Sequence, residues 1–106
     1  MELSFDDADL AETCSCRELM LGRWGDDGFP SVAVRLKQLA AAADASEVEM
    51  LPDCELEHRG GSKVTISFGG GDLVIRGALD GRPAARGEHA RLQISEIDRR
   101  DATVAR

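Results

Sequence analysis

VTISFGGGDLVIRG, residues 64–77, carries the strongest structural signal in the chain. Apolar and polar side chains alternate through 64–68, which is the period of a half-buried strand. The three glycines at 69–71 supply the positive-φ positions that a tight reversal needs. The apolar run 73–75 then returns as a second, more deeply buried strand. This stretch therefore predicts a β-hairpin.

The segments before the hairpin predict a strand followed by helices. MELSF, residues 1–5, alternates like a short first strand, and Asp6 or Asp7 can cap the helix that follows. Apolar spacing predicts helices over 8–24 and 30–43, with a loop at 25–30 between them. In the second helix the apolar stripe consists of Val32, Leu36, Leu39 and Ala43.

The segments after the helices predict strands. The period changes to two at Cys54, which begins a strand that precedes the hairpin. A Gly-, Pro- and Arg-rich stretch at 78–87 predicts a loop, and 92–97 predicts a last strand with an irregularity near Ser95. Residues 102–106 are expected to be a loose tail. The predicted order is β-α-α-β-β-β-β, an α+β fold.

Length and composition indicate a single globular domain. The chain has 106 residues, of which 42% are hydrophobic and 31% charged, which is ordinary for a folded domain. No run approaches the roughly 20 apolar residues of a membrane span. The N-terminal MELSFDDADL lacks the basic-then-apolar pattern of a signal peptide. We therefore expect a cytoplasmic protein with no membrane contact.

Charge is distributed unevenly along the chain. Residues 1–57 carry four basic side chains against fourteen acidic ones, whereas 58–106 carry nine basic against six acidic. The acidic total of −7 opposes non-specific RNA binding. The basic second half could still face RNA or an acidic partner. A solvated charge distribution without a role explains the same numbers.

The three cysteines do not form a recognisable site. Cys14 and Cys16 lack the spacing of a redox or zinc motif, and on a helix they would point about 200° apart. Cys54 lies far from both in the sequence. We expect ordinary reduced thiols, and we predict neither a metal site nor a cofactor.

The order of these segments resembles the HigB/RelE-type toxins of bacterial type II toxin–antitoxin pairs, over about residues 1–101. That family opens with a strand like MELSF and has a helix that ends in an aromatic-Gly pair, as Trp24-Gly25 does here. An amphipathic helix like 35–42 follows, and then a Leu-Pro pair like 51–52. Its last strand is similar to 94–98.

The resemblance implies an architecture and an activity. It implies two N-terminal helices packed on a twisted, mainly antiparallel sheet, in one domain over residues 1–106. Members of the family bind a translating ribosome and cut mRNA, using cationic and proton-transferring side chains on the concave face of the sheet. A helix-turn-helix antitoxin encoded beside the toxin would be the protein partner. Direct DNA binding is not expected.

The set of catalytic residues that the family implies is depleted in this chain. Two arginines of the family fall on Ser67 and Leu73, and its terminal Tyr-His pair falls on Arg99 and Arg100. Guanidinium groups can hold phosphate, but they are poor proton shuttles at neutral pH. The resemblance therefore implies a degenerate site.

The remaining candidates for catalysis are His58, Arg59, Arg99 and Arg100. His58 is the best of them for proton transfer, because imidazole titrates near pH 6.5. We expect Arg59 and Arg99 to share one hollow of the sheet with the replaced positions Ser67 and Leu73.

Three functions stay open at this point. One is an active, ribosome-dependent endoribonuclease, or mRNA interferase, with a rearranged site. Another is a toxin-like module that binds its partners but is catalytically impaired. The third is a non-enzymatic, acidic, immunity-like protein that sequesters a basic protein partner, which the acidic first half favours.

Overall fold

The computed structural model describes residues 1–43, 45–80 and 91–99, which form an α+β fold. The elements in chain order are β1 (Glu2–Phe5), α1 (Ala8–Ser15), α2 (Arg17–Ala41), α3 (Ala45–Glu49), β2 (Cys54–Gly60), β3 (Lys63–Phe68), β4 (Leu73–Asp80) and β5 (Arg91–Arg99). The α+β class is confirmed, and each of the five predicted strands corresponds to a strand of the structure, although the element order differs from the prediction. The short helix α3 is additional to the predicted order.

The five strands form one mixed sheet in the order β1-β5-β4-β3-β2. Strands β2 to β5 are antiparallel neighbours, whereas β1 pairs in parallel with β5. The chain therefore leaves β1 at one edge, passes through the helices and re-enters the sheet at the opposite edge.

The predicted hairpin is confirmed as β3 and β4. Phe68 pairs with Leu73 across the reversal. The glycines at 69–71 have φ values of 62°, 71° and 105°, which other residues rarely adopt. The glycine run thus fixes the length of the turn and with it the register of the two strands.

The helical region differs from the prediction at two points. The predicted helix over 8–24 is interrupted at Cys16, whose backbone is extended. The predicted loop at 25–30 is wrong, because only Gly25 leaves the helical conformation (φ 77°, ψ 175°), and Pro30 lies inside α2. Gly25 alone adopts a backbone conformation that other residues avoid, and the change of direction occurs at this one residue. The helix therefore continues directly after it. The capping prediction is confirmed, since the Asp7 carboxylate accepts the Asp9 N–H at 2.9 Å.

The helices cover only one face of the sheet. Register places Leu56, Ile66, Ile75 and Ile97 side by side across β2, β3, β4 and β5. Their side chains belong to the same core as Val32 and Leu39 of α2, both of which have no exposed surface. We call this side of the sheet the helix face and the other side the open face. The burial of Val32 and Leu39 confirms these two positions of the predicted apolar stripe.

Strand β5 contains the irregularity that the sequence predicted. Its pairing with β4 steps from Arg76–Glu96 to Gly77–Ile94, which leaves Ser95 without a position in the ladder. The Ser95 hydroxyl donates instead to the Arg76 carbonyl oxygen at 3.1 Å. Before the bulge, the side chains of Leu92 and Ile94 face the helices. After it, the alternation is shifted by one residue, so that Ile97 faces them.

Two predicted features lie largely outside the described residues. The predicted loop at 78–87 begins later than expected, because β4 continues to Asp80. The rest of that loop and the tail at 102–106 are not among the residues described. None of the described helices has the length and apolarity needed to cross a membrane.

Two glycine substitutions should have opposite effects on stability. A methyl group on Gly77 would overlap the carbonyl oxygen of Gln93 on β5, whereas a methyl group on Gly22 in α2 would meet nothing within 4 Å. We expect Gly77→Ala to lower the free energy of unfolding by at least about 2 kcal/mol. Gly22→Ala should raise it by about 0.5–1 kcal/mol. Urea denaturation of both variants measures the difference, and equal effects would contradict the register of β4 and β5.

Two partly buried thiols should make stability depend on pH. Burial raises the pKa of Cys14, although Arg23 opposes the effect. Burial also raises the pKa of Cys54, with Arg35 opposing and Glu49 and Glu55 adding to the rise. The folded state therefore keeps thiol protons that the unfolded chain releases at pH values above about 8.5.

The free energy of unfolding should consequently fall as pH rises through that range. Urea denaturation under reducing conditions between about pH 7.5 and pH 9.5, one unit either side of the unfolded thiol pKa of about 8.5, measures the decline. Replacing Cys14 and Cys54 together by Ala should flatten it. An unchanged slope in that double variant would contradict the assignment.

Candidate functional site

The open face of the sheet carries a row of charged and polar side chains. The row next to the core residues Leu56, Ile66, Ile75 and Ile97 consists of Glu57, Thr65, Arg76 and Glu96, which register places side by side. Strand alternation puts this row on the open face because its neighbours are buried on the helix face.

Arg59 is held over the centre of the open face by two contacts. Its Nε donates to the Thr65 hydroxyl at 3.2 Å, and its Nη2 lies 3.1 Å from Glu57 Oε1. Thr65 is only 6% exposed, and the guanidinium of Arg59 lies against its hydroxyl. The ion pair itself is exposed and contributes little to stability. It does orient the guanidinium.

Arg76 joins two carboxylates on the neighbouring strand. Its Nη1 lies 3.2 Å from Glu96 Oε2 and 3.3 Å from Asp98 Oδ2. All three side chains are partly exposed to solvent, so an incoming charged group can compete for each of them. The charge of Arg76 is therefore neutralised in the free protein, but its side chain is accessible to an incoming group.

A cleft of about 380 Å³ lies between these two arginines. Its lining includes Arg59, Lys63, Thr65, Arg76, Gln93, Ser95 and, at its acidic end, Asp6. Lys63 is a cation that forms no ion pair with any residue in 1–43, 45–80 or 91–99. The cleft thus brings together cations from three successive strands.

His58 does not belong to this cleft. It pairs in register with Val64, whose side chain is buried on the helix face, whereas Arg59 follows at a bulge in β2 and contacts Thr65 on the open face. His58 is exposed at the edge of the sheet. It is the only histidine within the described ranges, since His89 lies outside them. The structure therefore places no imidazole beside Arg59.

The hollow that we predicted for four residues is not formed. Ser67 lies on the open face with Arg59, but Leu73 is 4% exposed in the core. Arg99 pairs with Leu73 and lies on the helix face, beside α2. The prediction failed for two reasons. Leu73 lies on the same side of β4 as buried Ile75 and therefore faces the helices, and the bulge at Ser95 shifts the alternation of β5 by one residue, so that Arg99 faces them too. Arg100 lies outside the described residues.

A second cleft on the open side of β2 is acidic. It measures about 400 Å³, and its lining contains Glu49, Glu55, Glu57 and Ser67. Strand β2 is an edge strand, so its outer hydrogen-bonding side is not paired within the sheet. The first half of the chain thus concentrates acidic groups at one edge.

The open face is built for ionic contacts more than for proton transfer. Its cations Arg59 and Arg76 each have a carboxylate partner. Within the described residues no three His, Cys, Asp or Glu side chains are placed to hold a metal ion. Among the described residues that line the 380 Å³ cleft there is no imidazole, and the Asp6 carboxylate is the one acidic side chain that could accept a proton. The arrangement can bind charged groups with defined geometry.

The sequence reasoning missed Lys63, Thr65 and Arg76. The signal for them was the period of two, because residues flanking buried Val64, Ile66 and Ile75 must lie on the opposite face. Only the pairing of β3 with β4 shows that Thr65 and Arg76 are neighbours.

Comparisons with protein-family descriptions, curated proteins and solved structures found no match for this chain.

Proposed function

We propose that this chain is a toxin-like component of a type II toxin–antitoxin system, catalytically impaired, that acts by binding a protein partner. The supporting observation is the open face, where the described residues include no imidazole beside the cations and where Arg59 and Arg76 are paired with carboxylates. The α+β architecture, with helices on one face of the sheet, is compatible with the family that the sequence resembles.

The charge balance of the open face favours a protein over RNA. Arg59 and Arg76 are paired with Glu57, Glu96 and Asp98, and Lys63 lines the same cleft, so positive and negative groups are mixed there. A polyanion gains affinity from an excess of cations, which releases counterions on binding. A patterned, nearly neutral surface instead matches a partner with complementary charges.

Cutting mRNA requires groups that the described residues of this face do not supply. In-line attack by a ribose 2′-oxygen needs a base near that oxygen and an acid near the leaving oxygen. His58 is on the other face of β2, and arginines hold phosphate without exchanging protons at neutral pH. In this proposal the chain therefore still binds its partner but does not cleave mRNA efficiently.

The partner in this proposal is a helix-turn-helix antitoxin encoded beside the chain. Co-expression with the product of the adjacent reading frame should give a complex that co-purifies with this chain. Arg76→Glu should weaken the complex by about tenfold or more, because it places three carboxylates together on β4 and β5. Lys37→Glu, an equal charge change on an exposed position of α2, should leave the affinity unchanged.

Catalysis is tested separately, with purified protein, ribosomes and mRNA. We expect intact mRNA, and unaltered growth when the chain is expressed alone in a bacterium. Ribosome-dependent cleavage that is lost in His58→Ala or Arg59→Gln would overturn the impairment and support the active endoribonuclease. Absence of any complex with the adjacent product would overturn the toxin-like assignment.

The acidic cleft beside β2 favours a second candidate, an immunity-like protein that sequesters a basic partner. Glu49, Glu55 and Glu57 provide an acidic surface along an edge strand. In that case a basic protein would be captured by the wild type and released by Glu55→Lys. Retention of the same partner by Glu55→Lys and loss by Arg76→Glu would favour the first proposal.

A further inference from the structure

A third cleft lies on the helix face of the sheet, remote from the charged row of the open face. It measures about 180 Å³ and is formed where α2 meets the turn between β3 and β4 and the end of β5. The side chains that matter here are Ser31, Arg35, Phe68, Asp72, Leu73 and Arg99. We call it the two-arginine cleft.

Arg35 is held in the two-arginine cleft by neutral partners only. Its guanidinium carbon lies 4.6 Å from the centre of the Phe68 ring. Its Nη1 donates to Gln38 Oε1 at 2.9 Å and to the Pro52 carbonyl at 3.3 Å. Within residues 1–43, 45–80 and 91–99 it forms no ion pair. Stacking and these two acceptors orient the guanidinium while its charge stays uncompensated.

Arg99 enters the same cleft from β5. Its side chain passes over Gly28 of α2, where a Cβ atom would lie 3.1 Å from Arg99 Cδ and 3.2 Å from Nε. The absence of a side chain at Gly28 therefore makes room for the arginine. Arg99 likewise forms no ion pair within the part of the chain that the structure describes.

The rest of the cleft suits an oxyanion. Ser31 contributes a hydroxyl that can donate, and the floor is apolar, with Phe68 at 1% and Leu73 at 4% exposure. An apolar floor lowers the local dielectric and strengthens charge-assisted hydrogen bonds. The carboxylate of Asp72 also lines the cleft and opposes an anion.

We propose that the two-arginine cleft binds a phosphate group, as inorganic phosphate or as a phosphate monoester. Two guanidiniums on separate elements can each offer a pair of N–H groups to different oxygens, which suits a tetrahedral dianion better than a single carboxylate. The two arginines together match the charge of the dianion, and the carboxylate of Asp72 opposes it. The site is independent of the proposed function, which uses the open face.

The probe is inorganic phosphate, titrated into the ¹⁵N-labelled full chain and followed by the amide signals of the 69–73 turn and of Arg99. Arg99→Gln should raise the dissociation constant by about tenfold or more, since it removes one of two charge-assisted forks. Asp72→Asn should lower the dissociation constant by about threefold, because it removes the opposing charge. An increase in affinity cannot come from loss of folding.

Two control variants define what counts against the site. Lys37→Gln removes a charge from α2 outside the cleft, and Arg59→Gln removes one from the open face; both should leave the dissociation constant within about twofold, a difference too small for a lost direct contact. A weakening by Lys37→Gln as large as that by Arg99→Gln would show non-specific attraction and overturn the proposal. Loss in Arg59→Gln alone would place the anion on the open face and also overturn it.

A second titration with glycerol phosphate distinguishes the source of the ligand. Tighter binding than inorganic phosphate, with the same response to Arg99→Gln, would support a phosphate monoester. Equal binding would support the free anion. Absence of signal changes with either ligand in the wild type would overturn the site.

Discussion

The packing of α2 against one face of the sheet is the constraint on which the other features depend. Ile66, Ile75 and Ile97 are almost fully buried beneath Val32 and Leu39 of that helix. Burying each such side chain contributes about 1.5–3 kcal/mol, so the register of the strands cannot slip without losing several of these contributions together. A slip by one residue would turn Thr65 and Arg76 into the core.

This constraint also sorts the charged groups. Because the apolar residues of β3 and β4 face α2, Thr65 and Arg76 must face the opposite way, and Arg59 follows them through its contact with Thr65. The bulge at Ser95 is an exception to this alternation, and it affects the candidate site. It allows both Ile94 and Ile97 to reach the core, and as a consequence Arg99 lies on the helix face instead of joining Arg59.

The sequence was sufficient to predict the local elements but not their lateral arrangement. Alternation from 64 to 68, the glycine turn and the Asp7 cap are local signals, and each was confirmed. The continuation of α2 through Pro30 was missed because one glycine replaced an expected loop. The predicted hollow failed for a different reason. The sequence predicts an irregularity near Ser95. The face on which Arg99 lies, however, depends on how β5 pairs with β4, and composition and spacing do not determine that pairing.

The two faces of the sheet differ in how their arginines are compensated, and this difference separates their roles. On the open face, Arg59 and Arg76 already have carboxylate partners, so an anion gains their attraction only by displacing Glu57 or Glu96. Each exposed pair is worth at most about 1 kcal/mol, so a protein partner can exchange these contacts with little loss. In the two-arginine cleft, the carboxylate of Asp72 is part of the lining but forms no ion pair with either guanidinium. An anion entering there does not have to displace a described carboxylate from an arginine, so we expect the cleft to have the stronger preference for phosphate and the open face the stronger preference for protein.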